Sequence, residues 1–399
     1  LYFPAKQQTK DIKNSGKFPE AENMKLIRVC PLAGKRESRR FVGDYILNQN
    51  DVENKTPFED AAYIAGWPMD VHADYGVYDE RPATYWNFVP GMYNVPFRTL
   101  YSKNIKNLLF AGRNTSCTRI ANGSTRVMAT CAAGGQAAGT GAYLCKKYGC
   151  APREVYQNHV PELQALLLRD DQTIMGHREA YALSHAQCAA SSVKPYENSD
   201  CEVLLPLEKS YVLALPTPFR IDRLSVFVKN EGQNAVLRYR ILEGDLPENY
   251  LPERIVKQGE LKLADGFAGK LILPVDAHAG KDNKVYIQFL PAKGVSLYAS
   301  KESVTGVPTF ICEEQEPFER DRRRFVFTRS YENICFADLA PAQNIFGAEN
   351  VLSGYNRPYG LPNLWISDGK KAQYLSVSFV EKYAEEVQLI FNTELEDDI

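Results

Sequence analysis

The stretch from Ser124 to Tyr148 constrains this chain more than any other. Its run of small and apolar residues reads as one long helix, with Asn122 or Ser124 as the cap and Gly149 followed by Pro152 as the stop. Inside it sit Gly134, Gly135, Gly139 and Gly141. A glycine in a helix interior costs about 0.8–1.0 kcal/mol relative to alanine, so this helix must recover that free energy through contacts that only a missing side chain allows. Two kinds of contact qualify. One is close packing against a sheet or a second helix, for which Ala132, Ala133, Ala137, Ala138 and Ala142 are equally suited. The other is close approach of backbone to a flat ligand, with the helix N-terminus aimed at an anionic or electron-accepting edge. Spacing alone leaves both open.

The surrounding pattern predicts an α+β first part and a β-rich remainder. A second helix is expected over Pro161–Arg169, with Leu163, Leu166 and Leu167 on one face. From about residue 200 the chain changes to short period-two segments bounded by turn residues. These are Leu224–Val228, Val236–Leu242, Lys270–Leu273, Val285–Phe289 and Val295–Tyr298. An antiparallel sandwich is the natural reading. At about 100–200 residues per domain, 399 residues suggest two to four domains, placed here at 1–190, 191–335 and 336–399. The charge run Glu316–Arg324 before the last segment reads as a solvated joint.

Several classes fall away. With 47 basic and 49 acidic side chains and no long run of either sign, the chain carries no electrostatic footprint for nucleic acid or an anionic membrane. No apolar stretch reaches the roughly 20 residues of a membrane-spanning helix. Nine cysteines are an odd number for a disulfide framework, and no CxxC pair or His/Cys metal spacing occurs, so no metal is expected. Most of the cysteines read as small buried hydrophobes. No Ser/His/Asp or Cys/His nucleophile arrangement can be argued.

The chemistry-bearing residues precede and open the long helix. Asn107–Arg113 reads as a short buried strand ending at Gly112, followed by the loop Asn114-Thr115-Ser116 and by Ala121–Met128 entering the helix. Arg36, Arg39 and Arg40 gather around Glu37, as surface ion pairs or as a clamp for a carboxylate or phosphate. His72 follows Asp70 and is either a proton-transfer group or a satisfied structural histidine. Arg98, on the segment Val95–Arg98, is a further active-site candidate.

Four ordered motifs carry a family resemblance. They are Arg36–Tyr45, Trp67–His72, Tyr93–Leu100, and the block from Asn107 through Arg126 to Gly139. Together they resemble the FAD-contacting portion of the FAD-dependent oxidoreductases related to xanthan lyase, over roughly residues 20–170. The resemblance implies FAD as cofactor. It places Gly112, Arg113 and Ser116 along the ribityl-phosphate portion, and Arg126, Gly135, Gln136 and Ala137 beside the flavin ring. It makes Arg36, Arg39, Arg40, His72 and Arg98 the catalytic candidates. A complete member opens with strand, GxGxxG and helix, and no GxGxxG occurs here. The expected fold is therefore an incomplete FAD-binding domain, an α+β flavoprotein portion followed by all-β sandwich domains, with the missing start supplied by an N-terminal segment or a second chain.

Residues 340–399, through Asn350–Pro358, Pro362–Asp368, Tyr374–Phe379 and an apolar strand Val387–Phe391, are similar to the opening half of a galactose-binding-like jelly roll. Trp365 there is a core anchor or a platform for a sugar ring. The implied function is hydride transfer to flavin from a polar, carbohydrate-related small molecule or glycan. The alternative is a non-catalytic glycan-binding protein with a degenerate flavin domain. The residues leave the compartment open, and the resemblance favours an extracytoplasmic one.

Overall fold

The computed structural model describes residues 10, 12–28, 39–73, 84–87, 89, 91–179, 185–316, 324–370, 372–380, 383 and 386–391. The first part is α+β. It contains α1 (Gln49–Asn54), β1 (Ala61–Ala65), β2 (Met69–His72), β3 (Thr84–Asn87) and β4 (Tyr93–Pro96), then α2 (Arg119–Thr125), α3 (Met128–Tyr148), α4 (Pro152–Asn158) and α5 (Val160–Arg169). β1 pairs antiparallel with β4, and β2 with β3.

The single helix expected over Ser124–Tyr148 is two helices. The backbone turns extended at Val127 (φ −70°, ψ 151°), and the side-chain cap belongs to Thr118, whose hydroxyl accepts from Ala121 N at 3.4 Å. Asn122 and Ser124 therefore lie inside α2 and cap nothing. The stop is where the sequence puts it, with Gly149 left-handed at φ 63° and Cys150 N bonding back to Cys145 O at 3.0 Å. α3 packs on β1, and two of its glycines make that possible. A Cβ at Gly134 would stand 3.2 Å from the Tyr63 ring, and one at Gly141 would stand 2.6 Å from the Phe97 ring. A Cβ at Gly135 or Gly139 would have no described residue within 4 Å. Close packing thus accounts for Gly134 and Gly141 and leaves Gly135 and Gly139 without a packing reason. α5 buries Leu163 and Leu167 as expected, with Leu168 where Leu166 was placed.

The remainder is mostly antiparallel β-sheet. β5 (Gln187–Ala190) stands apart, and the sandwich is built from β6 (Val203–Pro206), β7 (Ser210–Pro216), β8 (Arg220–Asn230), β9 (Val236–Glu243), β10 (Arg254–Lys262), β11 (Ala268–His278), β12 (Lys284–Phe289), β13 (Val295–Ser300), β14 (Thr309–Glu314), β15 (Phe325–Arg329), β16 (Asn333–Ile334) and β17 (Phe336–Ala340). One sheet has the order β10-β9-β12-β7-β14-β15, the other β11-β8-β13-β16, with β6 and β17 added on β13 and β8. Leu213, Ile241 and Ile287 of the first sheet meet Leu224, Val226, Leu273 and Leu297 of the second in one apolar core. The loop Asn230–Asn234 crosses between the sheets, because β8 and β9 pair with different neighbours.

The central strands of the first sheet are buried on both faces, a departure from simple core/solvent alternation. In β12, Val285, Ile287 and Phe289 face the inter-sheet core while Lys284, Tyr286 and Gln288 face outward and are equally buried. Tyr250, Ile255, Phe310 and Phe327 cover that outer face around Tyr286. Beneath them the Tyr286 hydroxyl donates to Asp282 at 2.6 Å, and Lys284 donates to the carbonyls of Pro247 (3.1 Å) and Asp282 (3.0 Å). The same 244–253 loop reaches the first part of the chain through the Glu248–Lys55 ion pair.

Among the described residues beyond 335, both strands pair with strands from earlier in the chain. Phe336–Ala340 pairs with β8, and Phe336, Leu339, Ile345 and Phe346 lie in the sandwich core. β18 (Leu375–Ser378) pairs back onto β5, and Val387–Phe391, expected as a strand, has no strand partner among the described residues. Asn356 donates to Leu168 O at 2.5 Å and Arg357 pairs with Asp171, so this segment docks on the end of α5. Among the described residues no helix is long and apolar enough to cross a membrane.

Gly139→Ala is expected to stabilise the protein by about 0.5–1 kcal/mol, because helix propensity improves and the space is open. Gly141→Ala is expected to cost about 1–3 kcal/mol through the clash with Phe97. Urea midpoints distinguish them, and equal effects at the two sites would contradict the packing described. Burial lowers the Lys284 ammonium from the usual 10.5 to about 8, against the opposing pull of Asp282 and Glu248. The folded state then sheds this proton before the unfolded state does. Stability relative to Lys284→Met should therefore rise as pH climbs from about 8 towards 10.5, and a flat difference in urea midpoint over that window would refute it.

Candidate functional site

The segment Asn107–Arg113 forms no strand. It makes one bridge, Leu109 to Tyr101, and Phe110 N bonds Leu100 O at 2.6 Å. Gly112 then takes φ 90°, a conformation that favours glycine, and swings the chain into a loop laced to residues 40–47. Phe41 N donates to Asn114 O at 2.9 Å, Leu47 N to Ser116 O at 3.1 Å, and Arg40 Nε to Cys117 O at 2.9 Å. The fully buried Ser116 hydroxyl donates to Tyr45 O at 2.6 Å, so it faces protein. Burial pushes the Cys117 thiol up, which keeps it protonated and unreactive.

From this loop Thr118 starts α2, and β2 lies directly across it. Gly123 is the contact, since a Cβ there would stand 2.6 Å from Asp70 O. Period-two geometry puts Asp70 and His72 on one face of β2. Arg126, nearly buried at the end of α2, reaches back with Nη2 to Asp70 O and to Asp70 Oδ2, both at 3.0 Å. His72 Nε2 lies 3.5 Å from Asp70 Oδ2, and its Nδ1 lies 3.2 Å from the Thr84 hydroxyl. Arg119 Nη2 donates to His72 O at 2.8 Å. Asp70 Oδ1 is buried and has no hydrogen-bond partner among the described residues. Trp67, 43% exposed, borders this ledge, with its carbonyl accepting from Ser124.

The expected site residues thus separate. His72 and Arg126 come together around Asp70, and Arg40, Gly112, Arg113 and Ser116 line the adjoining loop. The other residues lie elsewhere. Arg98 makes a bidentate pair with Asp60, Nε to Oδ2 at 3.0 Å and Nη2 to Oδ1 at 2.8 Å, and its guanidinium sits 4.7 Å from the Tyr156 ring centre and 5.3 Å from that of Tyr45. Its charge is committed to the fold, which corrects its placement as a substrate ligand. Ala137 is sealed in the core, so its side chain reaches no ligand. Gln136 donates to Asp170 O at 3.0 Å, and Gly135 lies on the open side of α3. Arg39 is exposed, and Arg36 lies outside the described residues. Asp70 and Arg119 emerge only from the structure; the Asp-x-His alternation in Trp67–His72 was the one available signal for Asp70.

This ledge meets the start of α3, whose N-cap residue Val127 makes no side-chain cap bond. The free N–H groups of the first turn favour negative charge. Gly112 has nothing within 4 Å of a Cβ position, and Asn114 Oδ1 is buried with no hydrogen-bond partner among the described residues. An open backbone turn, guanidinium groups and an uncapped helix start are a donor set that fits a phosphate-bearing, electron-accepting cofactor. The junction by Tyr355 and Tyr359 holds a cavity of only about 30 Å³, room for a single water.

Residues 5–167 match a family model described as FAD dependent oxidoreductase. No curated protein matches the chain. The matched residues cover the α+β first part and stop before the antiparallel sheets that follow it.

Removing Arg98 leaves the wholly buried Asp60 carboxylate unpaired. Arg98→Ala is expected to cost about 3–5 kcal/mol, whereas Arg39→Ala should stay within about 0.5 kcal/mol. Chemical unfolding of both variants checks this, and a near-neutral Arg98→Ala would show that the pair is not structural.

Proposed function

We propose that the β2–α2 ledge and the Gly112 loop form the substrate and cofactor wall of an FAD-dependent oxidoreductase acting on a polar, carbohydrate-related alcohol. The observation that carries this reading is the Asp70–His72–Arg126 cluster standing next to the uncapped start of α3. When bound, FAD would supply a two-electron acceptor for the hydride leaving the alcohol carbon. Arg113 and the Gly112 backbone would hold its phosphates, and the N–H groups of the first turn of α3 would favour the negative charge it gains on reduction.

The protein's part in the reaction is proton handling and orientation. Asp70, fixed by Arg126, faces His72 Nε2 and stabilises the imidazolium. The alcohol proton passes to His72 Nδ1 by way of the Thr84 hydroxyl. Arg119 holds the His72 carbonyl and so fixes the end of β2. The exposed Trp67 offers a ring face on which a sugar could stack.

Titrating the protein with FAD and following flavin fluorescence should show saturable quenching, weakened about 10-fold or more in Arg113→Ala through loss of a charge-assisted bond. With a panel of sugars and polyols under anaerobic conditions, flavin bleaching should slow by about 100-fold or more in His72→Gln. Failure of FAD to bind the protein when it carries, or is mixed with, a strand–GxGxxG–helix segment would refute the cofactor reading, and glycan binding without FAD would favour the non-catalytic alternative. Unchanged bleaching in His72→Gln would remove the histidine from the mechanism.

A further inference from the structure

The sandwich holds a pair of thiols that the flavin chemistry does not use. Cys335 lies between β16 and β17 with no exposed surface, and Cys201 lies just before β6, half-buried. Backbone pairing brings their segments together. Asn198 and Phe336 exchange both hydrogen bonds, Asn198 N to Phe336 O at 2.9 Å and Phe336 N to Asn198 O at 2.8 Å. The end of β13 holds both neighbours, since Ala299 O accepts from Glu202 N and Tyr298 O accepts from Cys335 N, each at 3.0 Å. Ala299 also pairs with Ile334 on one side and with Val203 on the other. A tight turn, Cys201 N to Ser199 O at 3.0 Å, bends the segment that faces Cys335, and Cys201 is the side chain whose proximity, after burial, raises the Cys335 thiol.

We propose that Cys201 and Cys335 are a disulfide-forming pair, oxidised by thiol–disulfide exchange with a small disulfide such as oxidised glutathione. Cys201, the more accessible thiol, loses its proton and attacks one sulfur of the oxidant, expelling one glutathione thiolate and leaving a mixed disulfide. Cys335 then loses its proton and attacks the Cys201 sulfur, expelling the second glutathione. Two protein thiols are oxidised to one disulfide, and one glutathione disulfide is reduced to two thiols. Burial and the neighbouring Cys201 hold the Cys335 thiol well above its ordinary range, so it does not make the first attack; once Cys201 is in the mixed disulfide its share of that shift is gone, and the resolving attack is intramolecular. The bond would join the chain entering the sandwich to the chain leaving its last strands, closing a loop that contains nearly the whole domain. Such long loops gain most from cross-linking in the chain-entropy account.

Cys145 and Cys150 provide an internal comparison, because Cys150 N bonds Cys145 O at 3.0 Å and the pair closes only the last turn of α3. The experiment treats native protein with oxidised glutathione, blocks remaining thiols, and digests without reductant. Fragmentation spectra must separate Cys201 from Cys188, which a tryptic cut leaves on the same peptide. The expected result is a Cys201–Cys335 cross-link, an intact mass lower by two hydrogens for that bond, and a melting midpoint raised by about 5–10 °C that reductant reverses. Cys201→Ser should lose both the cross-link and the midpoint difference. Three results would overturn the proposal: a glutathione adduct that persists on Cys201, cross-linking at Cys145–Cys150 alone, or an unchanged mass.

Discussion

The buried carboxylate of Asp60 and its capture by Arg98 hold the first half of the molecule together. Asp60 has no exposed surface and accepts from the Arg98 backbone N–H (3.0 Å) as well as from the guanidinium. A charge at that depth is tolerated only when it is paired and hydrogen-bonded. The turn that carries Arg98 is consequently rigid, and the rest of the loop system hangs from it. Arg98 O accepts from Tyr45 N, Thr99 O from Ser116 N, and Leu100 O from Phe110 N. The loop through Gly112 is therefore positioned by an ion pair that never touches it.

Missing side chains perform a second kind of positioning. Gly123 lets β2 rest on α2, and Gly134 and Gly141 let α3 rest on Tyr63 and Phe97. Those contacts set the distance between Asp70 and Arg126 and turn the start of α3 towards the same ledge. Gly135 and Gly139 remain open and lack a packing partner, so the helix keeps a flat side. Gly134 and Gly141, seven residues apart, thus share the packed face of the helix, and Gly135 and Gly139, four apart, share the open one.

The sandwich relates to this unit through the outer face of its first sheet. β7 and β12 are apolar on both sides because a second small cluster, with the Asp282–Lys284–Tyr286 network under it, covers the face that would otherwise be wet. The loop above that network supplies Glu248 to Lys55, and the segment after Phe346 returns to α5 through Asn356 and Arg357. Trp365 belongs to this return path, half-buried with its indole N–H donating to Ser192 O at 2.9 Å. The later segment completes the packing of earlier parts and builds no sheet of its own among the described residues.

Local chemistry was sufficient for the strands of the sandwich, the left-handed stop at Gly149, the helix of Val160–Arg169 and the ordered motifs that carry the family resemblance. These depend on periodicity and on residues with special backbone preferences, which a linear pattern records. Other features needed partners far along the chain. The break at Val127 comes directly after Arg126, which reaches 56 residues back to Asp70. The commitment of Arg98 follows from Asp60, and the double burial of β12 follows from a loop that covers its outer face. The amino-acid sequence by itself determined which segments could be helix or strand and which side chains could bind an anionic cofactor. Only the tertiary structure decided which of those charges were already paired, because pairing depends on distance in space and on burial, neither of which spacing along a chain encodes.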